Sequence, residues 1–244
     1  MNAFRIVDLP EHLVRVTGGS FRIVSVGSRS SGSFSPLARG SSHSFMTWTA
    51  KLSIVGHRQG DQGLLDEWET FLTRLGGVSA AFPLSDPLRP LPRGAAAGVS
   101  DSRDGGDEIL FEDNTGDPLS FAKDMKVVTG ATHCEVAESA SANKDTVLLK
   151  GLVKNEVVFK PNDRLSINRN LYTVMNDARS DESGFARVKI APRLWQGVAK
   201  GDLVNLRCAT GLFVLTDPNS GTMNFSLSGL STGEIEAVGL PWLY

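Results

Sequence analysis

A mainly β fold with one helix and a small closed barrel is what this sequence predicts, on three observations. Residues 62–75 are the one stretch whose apolar side chains recur at helical spacing. Residues 45–55 alternate apolar and polar side chains with a period of two. From Val127 to Leu206 the chain breaks into short apolar runs, each bounded by Gly, Pro, Asn or Asp. A 3.6-residue period marks a helix with one buried stripe, and a period of two marks a half-buried strand. Closely spaced, turn-bounded strands suggest a barrel.

The 244 residues suffice for one large or two modest domains with a real core. The hydrophobic fraction of 41% and charged fraction of 21% are those of ordinary globular material. Arg5, Asp8 and Glu11 interrupt the amino-terminal residues before an apolar signal-peptide region can form. No apolar run reaches bilayer-spanning length, so no membrane insertion is expected. Two cysteines, Cys134 and Cys208, give no disulfide framework and suit synthesis in a reducing compartment. A net charge of −2 lacks the Lys and Arg surplus that gripping nucleic acid requires. A duct through which DNA slides needs no such surplus.

In chain order, "HLVRVTGGSFRIVSVG" (12–27) reads as a hairpin with its tight turn at the paired glycines. Eight of the eighteen residues from Gly27 to Ser44 are serine, which reads as a long mobile loop. Phe34, Leu37, Arg29 and Arg39 equip that loop to hold a neighbour. A solvated loop without a role is the other reading. In "FMTWTAKLSIVG", Met46, Trp48, Ala50, Leu52 and Ile54 form the buried face of a strand.

The helix follows. Leu64, Leu65, Trp68, Phe71, Leu72 and Leu75 draw one apolar stripe, opposite Asp66, Glu67, Glu69 and Thr70. Asp61 can cap its start and Gly76 offers a left-handed stop. So short a helix is marginal alone and needs a sheet to lie on. The helix-on-sheet core is therefore expected at Leu64, Trp68, Phe71, Leu72 and Leu75, with Trp68 as anchor. The proline-rich "AAFPLSDPLRPLPRG" cannot continue a central strand and reads as the exit from one domain. Asp101–Asp117 holds seven acids and one arginine and reads as an exposed acidic loop with a short strand at "EILFE".

In the middle block the expected strands are "KVVTG", "TVLLKGL", "RLSIN", "LYTVM", "ARVKIAP" and "LVNLR", with turns at "KPND", "NRN", "DESG" and "KGD". Asp163-Arg-Leu-Ser-Ile is echoed by Asp202-Leu-Val-Asn-Leu, an echo too short to count as a repeat. Strands around Leu212–Leu215, Met223–Leu227 and Glu234–Val238 close the chain, in the style of the amino-terminal ones.

Catalytic chemistry finds little footing. Gly229–Gly233, "GLSTG", matches a nucleophile elbow. However, a strand-like "EIEAVGL" follows Ser231 where a helix should, and all four histidines precede it. A hairpin turn is the better reading. "SANK" (141–144) lacks the companion motifs of an acylating serine. His133 and Cys134 have no second Cys or His at zinc spacing. "DSRDGGDE" lacks an EF-hand's oxygen pattern. No phosphate-cradling loop is present. The expectation is a non-enzymatic protein without cofactor or metal.

The order of features resembles the distal tail proteins of long-tailed, siphovirus-like bacteriophages. That order is amino-terminal strands, a long loop, a Trp-bearing strand, one helix ending in "LGG", and then "FPLSDP". After it come "VTGA", "KPNDRLSI", "LYTV", "GFARVKIAPRL" and closing strands. The resemblance spans nearly the whole chain and rests on order and style. It implies a ring-forming β-sandwich belt at 1–94 and 207–244, flanked by the helix at 62–75, with an inserted OB-like barrel at 95–206. It further implies a hexameric virion protein at the distal end of the tail. Such a ring joins the tail tube protein to the hub and tail-tip proteins, and side fibres or receptor-binding proteins attach through the barrel. DNA passes only as cargo, and synthesis takes place in the host cytoplasm.

A ring of identical subunits needs two different complementary surfaces on each chain, and open sheet edges can serve as joints. Three other readings stay open: a tail tube or tail-terminator subunit, a carbohydrate- or receptor-binding β module using Trp195, Trp242 or Tyr244, and an esterase using Ser231.

Overall fold

A computed structural model describes residues 5–9, 15–30, 39–58, 62–94, 133–225 and 230–240. In chain order the elements are β1 (Arg5–Ile6), β2 (Arg15–Ser30), β3 (Arg39–Arg58), α1 (Gln62–Leu75), β4 (Ala80–Ser85), β5 (His133–Val136), β6 (Thr146–Lys150) and β7 (Val157–Phe159). They continue with β8 (Arg164–Ile167), β9 (Asn170–Val174), β10 (Ala178–Arg179), β11 (Ala186–Ala191), β12 (Leu203–Asn205), β13 (Thr210–Leu215), β14 (Asn224–Phe225) and β15 (Leu230–Leu240). The fold is mainly β, with one helix and one closed barrel among the described residues. The chain forms two compact units, Met1–Pro87 with Thr210–Tyr244, and Leu88–Ala209.

The first unit is one seven-stranded sheet in the order β1-β4-β13-β15-β3-β2, with β14 pairing β15. Its sandwich character comes from curling. Phe21 on β2 and Phe213 on β13 stand three strand steps apart, roughly 14 Å on a flat sheet. Their ring centroids are 5.4 Å apart, and Phe21 lies equally close to Trp48. The sheet therefore bends until its edge faces its middle. Trp48, Ala50, Leu52 and Ile54 line this inner face with Phe82, Phe213, Ile235 and Ala237, all buried. Met46, expected on that face, is 38% exposed because β15 no longer flanks β3 there; their last paired residues are Val238 and Thr49.

The helix lies on this inner face. Trp68, Phe71 and Leu75 are buried and Leu72 half-buried. The Trp68 indole Nε1 donates to the Gly221 carbonyl at 2.9 Å, and Phe71 meets Phe82 edge-on at 5.9 Å. The helix stops at Gly76, whose φ of 57° is left-handed, and Ser79 Oγ donates to the Leu75 carbonyl at 3.1 Å. Asp61 and the Leu64 side chain lie outside the described residues. Pro83 sits inside β4, but β1 pairs β4 only at Ala80 and Ala81. Among the described residues, one side of β4 is thus bare where the missing N–H falls.

The paired glycines make no turn. β2 runs straight through "TGGS", with residues on both sides pairing the same strand: Val16 to Ile54, Gly18 to Ser53, Phe21 to Ala50. The register shift between Val16 and Gly18 is a bulge. Gly19 adopts φ 140° there, and a Cβ would overlap the Lys51 carbonyl oxygen. The glycine serves a bulge and a close backbone approach.

The second unit holds a barrel closed in the order β11-β6-β5-β12-β8-β9. Every neighbouring pair is antiparallel. It has six strands where an OB-fold has five, and β6-β11-β9-β8 forms a Greek key. Its centre is a packed core of Val136, Leu149, Phe159, Leu165, Tyr172, Val188, Val204 and their neighbours. Asn168 and Arg169, with φ of 49° and 62°, make the two-residue β8–β9 turn of the expected "NRN". "KVVTG", "EILFE" and the acidic run Asp101–Asp117 lie outside the described residues.

The units part at Pro87/Leu88 and Ala209/Thr210, a few residues from the expected 94/95 and 206/207. Contacts explain where Leu88–Gly94 goes. Arg93 Nε donates to buried Asp163 at 3.1 Å, and the Cys208 N–H donates to the Pro90 carbonyl at 2.6 Å.

Candidate assembly surface

The feature most unlike a self-contained domain is the edge formed by β2. Fourteen of its sixteen residues pair β3 on one side, Thr17 and Gly27 being skipped at the bulges. Among the described residues, no strand lies on the other side. The bulges at Val16/Gly18 and Val26/Ser28 bracket a regular stretch, Gly18–Val26, whose outer row of N–H and C=O groups is unpaired within the sheet. Such an edge is a template for another strand.

Beyond Thr47 the edge becomes a ribbon. Thr47 Oγ1 donates to the Gly239 carbonyl at 2.8 Å, where β15 ends its contact with β3. Past it, among the described residues, Ser25–Ser30 pair only with residues 39–46, through contacts that include Ser28–Ser41, Arg29–Gly40 and Ser30–Arg39. Six residues of strand carry this ribbon about 20 Å past the sheet. A two-stranded ribbon alone in water is marginal and gains from a surface to lie on.

This corrects the loop reading of Gly27–Ser44 at residues 27–30 and 39–44, while 31–38 lie outside the described residues. Serine and glycine bury little, so the composition looked structureless, but a ladder is held by backbone groups and needs no apolar side chain. Arg29 and Arg39 stand near the described end of the ribbon, each one position from the other's partner. Phe34 and Leu37 lie outside the described residues. The available sequence signal was Ile23, Val24 and Val26 before the serines and Phe45 after them, two apolar runs able to pair across the gap.

On the outward face of β3 and β15, Lys51 Nζ meets Glu236 at 2.6 Å and Glu234 at 3.1 Å. The hydrogen bond that Lys51 donates to Glu236, then that to Glu234, raises the Lys51 pKa. Between α1 and the amino-terminal segment lies an open cleft of about 250 Å³ lined by Val7, Asp8, Glu67, Thr70, Phe71 and Arg74.

The residues weighed for chemistry do not converge. Ser231 lies within β15, paired through Phe225, in place of the expected hairpin turn. No helix follows it as a nucleophile elbow requires. Ser141 and Lys144 are exposed between strands. His133 and Cys134 belong to β5, a strand missing from the sequence reading, where Cys134 faces the barrel core. No group of three metal-ligating side chains occurs among the described residues. Trp195 packs partly buried against the barrel core; Trp242 and Tyr244 lie outside the described residues. No described helix is long and apolar enough to cross a membrane.

Burial pushes the Cys134 thiol up to about 12 and, in the same barrel, the Tyr172 hydroxyl up to about 12. Cys208 is exposed. An aromatic disulfide reagent at pH 8 should therefore titrate one thiol per native chain quickly and two after denaturation; two fast thiols would place Cys134 at the surface. Both groups keep their protons in the folded barrel while the unfolded chain loses them, from about pH 9 for the thiol. Barrel stability should thus be fully present below pH 9 and fall as pH climbs toward 12, read as a falling melting temperature.

Comparison with protein-family models finds no matching family, and comparison with curated proteins finds no match.

Proposed function

We propose that this chain is a non-enzymatic, ring-forming structural protein of a bacteriophage tail, of the distal tail class. The observation that carries the reading is the edge of β2, bare among the described residues, whose last six residues run on as an unsupported ribbon. In a closed ring each subunit presents two different surfaces, and a strand edge with a projecting arm supplies one that reaches outward. The helix supports the same reading from the other side. With α1 filling the inner face, the sheet's apolar interior is satisfied within one chain, and its edge is left for copies of itself.

In this reading six copies surround a channel through which DNA passes as cargo. The ring meets the tail tube protein on one face and the hub or tail-tip proteins on the other. The second unit offers attachment for side fibres or receptor-binding proteins. The protein is made in the bacterial cytoplasm and ends in the virion.

Negative-stain imaging of the purified chain tests the assignment within the tail. Single closed rings are expected. Stacked tubes would move the chain to the tube-subunit class, and scattered single particles at every concentration would remove it from both.

A further inference from the structure

The two short turns that echo each other in sequence, Lys160-Pro-Asn-Asp163 and Ala199-Lys-Gly-Asp202, are built alike bond for bond. In each, the aspartate N–H donates to the carbonyl three residues back, at 3.1 Å in both. The first residue's N–H donates to that aspartate's Oδ2, at 2.8 Å from Lys160 and 2.9 Å from Ala199. The third residue is left-handed, with φ of 67° at Asn162 and 90° at Gly201. Its N–H donates to a valine carbonyl on the neighbouring strand, Val174 or Val136, at 2.8 Å in both. That valine's N–H returns to the aspartate carbonyl at 2.9 Å in both.

The correspondence runs around the barrel. Equating Asp163 with Asp202 maps β8 onto β12, and equating Val174 with Val136 maps β9 onto β5. Val174 pairs Ile190 and Val136 pairs Leu149, so β11 maps onto β6. The pairs Asn205–Ser166 and Val188–Val147 then map onto themselves, and Arg187–Leu148 maps onto Lys189–Thr146. A two-fold axis through the two self-mapping pairs relates β8-β9-β11 to β12-β5-β6, the second set standing in permuted chain order.

The equivalence breaks at one point. Asp202 Oδ2 accepts from Asn168 Nδ2 at 2.8 Å, a bond inside the barrel. Asp163 Oδ1 instead accepts from Arg93 Nε at 3.1 Å, and Arg93 also donates to the Pro161 carbonyl. Asp163 is 1% exposed. Around Arg93, the Pro90 carbonyl accepts from Cys208, and a Cβ on Gly94 would overlap the Val158 carbonyl.

We propose that the barrel is a doubled three-strand motif, and that one of its two aspartate turns has become a latch fastening the incoming segment Leu88–Gly94. Native-state hydrogen exchange at barrel amides in the full chain tests both halves. Replacing residues 160–163 by Ala-Lys-Gly-Asp keeps the carboxylate and the backbone carbonyl that Arg93 uses, so barrel protection should stay within a few-fold of the parent. Arg93→Ala should lower it about tenfold or more. That loss should shrink in an Asp163→Asn background and persist in full beside Asp202→Asn. Arg93→Lys, which keeps the charge without the fork, should fall between and serves if the alanine variant does not fold. A transplanted turn that unfolds the barrel would overturn the doubled motif. Equal coupling of Arg93 to Asp163 and Asp202 would overturn the latch.

Discussion

Replacing Trp68 with alanine should destabilise the first unit by about 3–5 kcal/mol, the range for deleting a buried aromatic. Trp68 is 2% exposed. Its ring lies 5.2 Å from Phe71, which in turn meets Phe82 of β4, so it begins the contact chain that ties helix to sheet. Its indole N–H also satisfies the Gly221 carbonyl. Gly221 has φ 87°, and a Cβ there would stand 3.0 Å from Leu72 and 3.5 Å from the Trp68 ring, so the indole packs closely on this glycine. Trp68→Phe keeps most of the packing and strands the buried carbonyl, at about 1–3 kcal/mol. Chemical denaturation read by exchange at first-unit amides measures both. A midpoint that barely moves in the alanine variant would mean the helix is not part of that core.

Gly19→Ala should cost about 3 kcal/mol or more. Holding a non-glycine residue at φ 140° costs on the order of 1–3 kcal/mol. The new methyl group would also overlap the Lys51 carbonyl and contact the Leu52 backbone, which forces β2 away from β3. Neighbouring Gly18 is the control. A Cβ there meets nothing within 4 Å and its φ is not left-handed, so Gly18→Ala should be close to neutral. Because Gly19 lies in the regular stretch of the β2 edge and its methyl would force that strand away from β3, its alanine variant should also assemble less readily than its stability alone accounts for. Indistinguishable behaviour of the two variants would remove the bulge from the explanation.

What could be read from sequence was whatever side-chain periodicity encodes. The stripe through Trp68, Phe71 and Leu75 and the alternation from Trp48 to Ile54 announced their partners, because burial on one face dictates residue type. The short barrel strands were equally plain where glycine or asparagine took positive φ, as at Asn162, Asn168 and Gly201. Backbone-held features were not legible. "TGGS" carries the composition of a turn, and the distinction between turn and bulge lies in a strand some thirty residues away. The ribbon made by residues 25–30 and 39–46 escaped for the same reason. β5 escaped because only Cys134 and Val136 of its four residues face the core. The continuity of the curled sheet, which puts Phe21 against Phe213, is a long-range fact with no local mark.

Assembly through the β2 edge is the claim on which the functional reading stands, and sedimentation velocity over a wide concentration range tests it most directly. The intact chain should reach six times its monomer mass at high concentration. A variant in which an Asn-Gly turn joins Val26 directly to Phe45, a pair already opposed in the ladder, removes the distal ribbon without disturbing the sheet. Its assembly should shift to markedly higher concentration. Monomers throughout, for the intact chain and the shortened one alike, would contradict the account.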